Sequence, residues 1–117
     1  DITEPKFTEA KHTTIDPKYF EPVVRGMADV YTKGTAKWLQ IPGIEIAGKT
    51  GTAENFTKID GVRTQLTDHS VFVAFAPVDN PKIAIAVYIE NGYFGSRYAG
   101  HIASLMVEKY LKGEITI

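Results

Sequence analysis

Two apolar runs separated by three turn-forming residues constrain this chain more than any other feature. Ser70 to Val78 is almost continuously apolar, and Lys82 to Glu90 follows directly after Asp79-Asn80-Pro81. In the second run Ile83, Ile85, Val87 and Ile89 alternate with the smaller Ala84 and Ala86, which is the two-residue period of a strand. So short a connection allows only antiparallel pairing, because a parallel return needs a crossover of a dozen residues or more. Whatever this chain folds into is built on a β-hairpin. The first run, lacking polar alternation, reads as a strand covered on both faces.

Helices flank that hairpin in sequence. Asp16-Pro17 is a helix start, since Asp is a favoured N-cap and proline suits the first helical position. Ile15 and Phe20 are spaced to form a hydrophobic staple across it. Phe20, Val23, Val24, Met27 and Tyr31 then recur at helical spacing, predicting a core-facing stripe that Lys33-Gly34 terminates. A last helix is expected over Tyr98 to Leu111, with Ile102, Leu105, Met106, Val107 and Tyr110 as its apolar face and Lys112-Gly113 as its end. Asp1 to Asp16, broken by Pro5, reads as an extended lead-in. Thr35 to Pro42 reads as a loop with Trp38 and Leu39 tucked against the domain. Glu54 to Asp68 reads as an excursion carrying a small hairpin around Asp60-Gly61, and Asn91 to Arg97 as a loop. The order helix-strand-strand-strand-helix describes an α+β fold: a three-stranded antiparallel sheet with flanking helices, in one domain over residues 1–117.

Composition removes several function classes. Thirteen basic residues against fourteen acidic ones give a net charge of -1, so no global basic surface argues for nucleic acid or acidic lipid. There is no cysteine, hence neither disulfides nor thiolate metal sites. His12, His69 and His101 are too scattered for a metal-ligand set, and nothing in the sequence brings Ser70, His101 and an aspartate together as a triad. No metal and no cofactor is implied. No apolar run approaches the roughly 20 residues of a membrane helix. Glu108 and Glu114 read as solvated charges, and His69 as hydrogen-bonded within the fold, with Asp68 nearby.

Chemistry concentrates in Lys49-Thr50-Gly51-Thr52, where a cation, two hydroxyls and a glycine follow the apolar, β-prone run that begins at Ile44. In an extended reading Lys49, Gly51 and Ala53 share one face of a strand and Thr50 and Thr52 the other, with Gly51 leaving room for a ligand against the backbone. In a second reading Gly43, Gly48, Lys49 and Thr50 spell a phosphate-binding loop. That motif requires a helix after Lys49, and Thr50-Gly51-Thr52-Ala53 is poor material for one.

The chain also resembles a known family. Ala47-Gly48-Lys49-Thr50-Gly51-Thr52-Ala53 is similar to the Lys-Thr-Gly motif of the penicillin-binding proteins, serine D,D-transpeptidases that cross-link peptidoglycan and are acylated by β-lactams. Gly34-Thr35-Ala36 upstream and His69-Ser70-Val71-Phe72-Val73-Ala74-Phe75-Ala76-Pro77 downstream extend the resemblance over nearly the whole chain. It is strongest to the class B, cell-elongation type called penicillin-binding protein 2. The resemblance implies that Lys49, Thr50, Gly51 and Thr52 bind substrate. Lys49 would lend charge to the carboxylate of a D-Ala-D-Ala peptide or β-lactam, the Thr50 and Thr52 hydroxyls would donate to it, and the Thr52 backbone N–H would serve an oxyanion hole, making Lys49 and Thr52 the catalytic contributors.

Two family motifs are missing. The nucleophile motif is Ser-x-x-Lys, but Val73, Ala99 and Val107 follow three residues after Ser70, Ser96 and Ser104. Ser-x-Asn is also absent, since Ala53, Val78 and Ile89 precede Asn55, Asn80 and Asn91 by two. Both lie N-terminal to Lys-Thr-Gly in the family, so the chain reads as the C-terminal part of a transpeptidase domain, without a nucleophile and inactive alone. The resemblance further implies a parent anchored in the cytoplasmic membrane with this part on the periplasmic or extracytoplasmic side, and elongation-machinery membrane proteins and a glycan polymerase as partners. The strand over Lys82 to Glu90 is expected to lack a neighbour and to drive dimerisation, strand exchange or poor solubility. The alternatives from other classes are the nucleotide site at Gly43 to Thr50 and a non-catalytic interaction module.

Overall fold

The computed structural model describes residues 2–116. Its centre is an antiparallel sheet of three strands, β1 (Ala47–Ala53), β4 (His69–Ala76) and β5 (Ile83–Ile89), in the order β1-β4-β5. Gly51 lies opposite Val71, and Val73 opposite Ala86. The expected α+β layout and hairpin are therefore present. Between β1 and β4 a second, two-stranded ribbon projects, β2 (Phe56–Ile59) with β3 (Val62–Gln65). Its turn is Asp60-Gly61, at φ 50 and 78, the double positive φ of the tightest hairpin loops.

Among the described residues there are three α-helices, α1 (Pro5–Thr8), α2 (Phe20–Thr32) and α3 (Ala99–Lys112); α2 and α3 pack against the sheet, whereas α1 is exposed throughout. Asp16 caps as expected, its carboxylate accepting from the Lys18 N–H at 3.0 Å, but Pro17–Tyr19 forms a 3₁₀ turn before α2 begins. Gly113, at φ 80, closes α3 by donating its N–H to the Lys109 carbonyl. Packing centres on Phe72, which is fully buried and meets the Tyr31 ring edge to face at 5.9 Å. The Tyr31 hydroxyl shares a hydrogen bond with Ser104 at 3.1 Å, joining α2 to α3 across the core.

Several expectations need correction. The lead-in is not extended throughout, since Pro5–Thr8 is helical. Ile15 and Phe20 are both exposed and form no buried staple. Along α2 the buried residues are Ala28 and Tyr31, whereas Val23 stays exposed. Ile44 to Ile46 precede the strand: Ile44 makes an isolated bridge with Ile41, and Ile41 and Ile46 plug the core. On β4, Ser70, Phe72, Ala74 and Ala76 are buried, but Val73 is exposed and Val71 and Phe75 are half-buried, so one face is covered and the other opens onto a shallow hollow below Met27. In α3 the buried face is Ala99, Gly100, Ala103, Ser104, Val107 and Glu108, while Ile102, Met106 and Tyr110 point to solvent. Small residues win because the helix lies flush on the sheet: a Cβ on Gly100 would stand 2.8 Å from Leu39 and 3.2 Å from Phe72. Trp38 is exposed and stacks on His101 at 5.8 Å, while Leu39 is buried as expected. Glu108 is no solvated charge. It is fully buried and accepts from Lys112 Nζ at 3.2 Å and from the Thr116 N–H and hydroxyl, which ties the tail to α3.

Candidate active site

Among the described residues β1 is an edge strand, paired on one side only. Which groups it offers to the open side follows from its contact with the loop between β5 and α3. The position a Gly95 Cβ would occupy lies 2.3 Å from the Gly51 carbonyl oxygen, 2.5 Å from that of Val71 and 2.9 Å from the Gly51 nitrogen. Both carbonyls therefore point into the gap between the two strands, so Gly51 and Val71 exchange N–H···O=C bonds within the sheet. Antiparallel ladders alternate, so Thr50 and Thr52 turn their N–H and C=O outward. Their side chains share the face of their cross-strand partners Phe72 and Ser70, and Lys49 and Gly51 share the other, the alternation expected of an extended strand.

The four motif residues are thus together on one free edge. Lys49 is exposed and donates from Nζ to the Thr50 carbonyl at 2.9 Å. The Thr50 hydroxyl meets that of Thr35 at 3.3 Å, and Thr52 is exposed. Lys49 and Lys33 line a hollow of about 360 Å³ with Gly26, Asp29, Gly34 and Thr35, so the C-terminal end of α2 borders the edge. A larger hollow of about 490 Å³ between Tyr31 and residues 40–46 contains none of the motif residues. Depth is a poor guide here, because recognition along a strand edge runs through outward backbone groups and not through an enclosed cavity.

Thr50 to Ala53 is strand and not helix. The phosphate-loop reading falls with that, since the cradle needs a helix N-terminus aimed at the phosphates.

Supporting residues to which sequence reasoning gave no role at this edge converge from β4 and the loops beside it. Ser70 is fully buried. Its hydroxyl donates to the Phe94 carbonyl at 2.9 Å and accepts the Ala99 N–H at 3.2 Å, so a residue of β4 satisfies an orphan amide at the start of α3. Asp68 accepts from the Asn55 N–H at 3.1 Å and from Gln65 at 2.7 Å, and its carbonyl takes the Tyr93 N–H at 2.9 Å. His69 is hydrogen-bonded within the fold, its Nδ1 accepting from the Asn91 N–H at 3.1 Å, so its partner is Asn91 and not Asp68. Tyr93 and Phe94 pack edge to face at 4.3 Å, with Tyr93 held at φ 65. This loop roofs the C-terminal end of β1. Ser70 and Ser104 are both buried and hydrogen-bonded, so neither is placed as a nucleophile.

Residues 2–112 match the model of the family described as "Penicillin binding protein transpeptidase domain". The chain belongs to this transpeptidase family. Its similarity to the Peptidoglycan D,D-transpeptidase MrdA of Acinetobacter baumannii is 44% identity over 80 residues, which is 62% of this chain and 12% of that protein. With MrdA of Haemophilus influenzae it is 35% over 102 residues, 79% of this chain and 16% of the relative. Among solved structures, the imipenem acyl-enzyme complex of penicillin-binding protein A from M. tuberculosis superposes with a TM-score of 0.69 at 32% identity, covering 86% of this chain and 21% of that one. Pseudomonas aeruginosa PBP2 in complex with WCK 5153 gives 0.69 at 31% identity, over 92% and 23%. One of these solved structures is a PBP2, and this chain spans less than a fifth of the length of the curated relatives.

Proposed function

We propose that this chain supplies the carboxylate-binding strand and part of the oxyanion hole of a peptidoglycan D,D-transpeptidase, a β-lactam target, whose attacking serine lies on sequence outside these 117 residues. The observation that carries the reading is the free edge of β1, with Thr50 and Thr52 directing backbone N–H groups outward beside Lys49. A peptide C-terminus laid along that edge adds as an extra strand. Lys49 attracts its carboxylate and the Thr50 and Thr52 hydroxyls donate to it. The Thr52 N–H is aimed at the oxygen that gains charge when serine adds to the carbonyl of the penultimate D-Ala. Collapse of that tetrahedral adduct breaks the peptide bond, releases D-Ala with a proton on its amine, and leaves an acyl-serine. An amine of a second stem peptide then takes the acyl group.

In the same reading the domain is the C-terminal part of a longer protein anchored in the cytoplasmic membrane, working on its extracytoplasmic face with elongation-machinery membrane proteins. Among the described residues no helix is long and apolar enough to cross a membrane. The test uses a full transpeptidase carrying this sequence and a fluorescent penicillin. Lys49→Ala and Thr52→Pro, which removes the N–H, each lower acylation at least tenfold, about 1.4 kcal/mol in the barrier, while the 117-residue chain alone shows no mass shift. Unchanged acylation in both variants refutes the roles given to Lys49 and Thr52, and acylation of the isolated chain refutes its inactivity.

A further inference from the structure

The β2–β3 ribbon has no part in the reading above, yet its base is heavily anchored. Every residue of β2 is exposed, and a two-stranded ribbon alone is marginally stable in water. Five hydrogen bonds close its base and tie it to the end of the sheet. Asn55 donates its N–H to Asp68 (3.1 Å) and its side-chain amide to the Thr67 carbonyl (3.0 Å) and Asn91 (2.9 Å). Gln65 donates to Asp68 (2.7 Å), and the Leu66 N–H to the Asn55 carbonyl (2.8 Å). The ribbon is therefore held at a set angle to β1, starting at Phe56 where β1 ends at Ala53.

Its register places Lys58 directly opposite Arg63, a like-charge pairing that weakens a ribbon. Phe56 shares their face. Arg63 lies over the Phe56 ring at 4.2 Å and reaches Glu54 at 2.8 Å, whereas Lys58 makes no ion pair among the described residues. Two cations opposed at some cost to folding, one of them already oriented by an aromatic ring, make a receptor for an anion entering between them.

We propose that the face of the ribbon bearing Phe56, Lys58 and Arg63 binds a side-chain carboxylate of the peptide whose C-terminus lies along β1. This rests on the strand-edge reading above and adds a specificity element to it. A peptide running past Thr52 meets the ribbon at once, and its acidic residue replaces Glu54 as the partner of Arg63 while Lys58 gains the partner it lacks. Two cations beside Glu54 are too few to hold an anionic bilayer, which favours a peptide over a lipid surface.

The experiment compares, in a full transpeptidase carrying this sequence, a peptide ending in D-Ala-D-Ala with a free upstream carboxylate and the same peptide with that carboxylate amidated. The wild type prefers the acid, and Lys58→Glu with Arg63→Glu raises KM for the acid about tenfold, the worth of roughly one charge-assisted hydrogen bond, without changing KM for the amide. Lys58→Arg keeps the preference, and Thr57→Glu on the opposite face leaves it intact. Benzylpenicillin acylation is the same in all variants, and its absence in the wild type would fault the strand-edge reading and not this one. Equal change for acid and amide, no change for either, or loss of binding to phosphatidylglycerol vesicles in place of peptide selectivity overturns the proposal.

Discussion

Gly95 rests on the backbone of Gly51 so closely that a methyl group on Gly95 would stand 2.3 Å from the Gly51 carbonyl oxygen. No side-chain rotation relieves a clash with backbone, so Gly95→Ala must lift the roof from β1. The expected cost is about 1–3 kcal/mol, as for other overpacked sites, read as a lowered denaturation midpoint. A variant as stable as the parent would show that the loop has another seat.

Gly51→Ala separates folding from recognition. A Cβ there meets Val71 at 3.4 Å, an ordinary contact, so stability should change by less than about 1 kcal/mol. The methyl group nevertheless stands on the strand where the ligand is proposed to lie. Penicillin acylation of a full transpeptidase carrying this sequence should fall at least tenfold, about 1.4 kcal/mol, with the melting temperature nearly unchanged. Retained acylation would mean that the ligand does not approach Gly51.

Ser70→Ala removes one hydroxyl and two hydrogen bonds, leaving the Ala99 N–H and the Phe94 carbonyl unpaired at a fully buried position. A loss of about 1–3 kcal/mol is expected. Amide hydrogen exchange should quicken first at residues 94–100, because Ser70 is what pins the loop to the start of α3. Uniform quickening across the sheet instead would contradict that local role.

What the sequence made legible was what local chemistry decides. Asp16 as a cap, Asp60-Gly61 as a turn, Gly113 as a stop and the alternation of Lys49 through Thr52 each depend on neighbours a few residues away, and all are present. The misreadings share a different cause. Hydrophobic size marked Ile102, Met106 and Tyr110 as the core face of α3, but close approach to Phe72 and Leu39 selects Gly100 and Ala103 instead. The buried hydroxyl of Ser70, the carboxylate of Glu108 and the hub at Asp68 each depend on at least one partner 8 or more residues away, up to 29 for Ser70, and no periodicity in one sequence announces such pairs. The strand that carries Lys49 to Thr52 was legible, and so was a loop over Asn91 to Arg97, but not that this loop would roof the strand.

Tyr31 gives a pH signature. Burial pushes its hydroxyl above the ordinary value, with the Ser104 hydrogen bond opposing part of the effect. The folded chain thus holds this proton more tightly than the unfolded one, so the stabilisation is complete below about pH 10 and is lost as pH rises through the folded value. Urea denaturation at pH 8 and 10.5 should show the wild type losing more stability over the interval than Tyr31→Phe, which cannot ionise. At pH 8 the variant should be less stable by about 1–2 kcal/mol, since Ser104 loses its partner. Parallel losses in the two proteins would assign the alkaline effect to other groups.

The last prediction concerns the opposite edge of the sheet. Because Val71 turns its N–H and C=O toward β1, its other neighbour Tyr88 must turn its own away from β4, and Ala86 and Ala84 do likewise at the two-residue period. The outer side of β5 is therefore a row of outward backbone groups with no neighbouring strand among the described residues, with the exposed Met106 and Tyr110 of α3 beside Ile83. Unpaired edges of this kind recruit other chains, and the 117-residue chain is expected to associate as concentration rises. Proline at an edge position removes an outward N–H without breaking a ladder bond, so Ala86→Pro should shift size-exclusion elution toward the monomer while the circular dichroism spectrum stays the same. A wild-type chain that elutes as a clean monomer at high concentration, or an Ala86→Pro chain that associates just as strongly, would place the contact elsewhere.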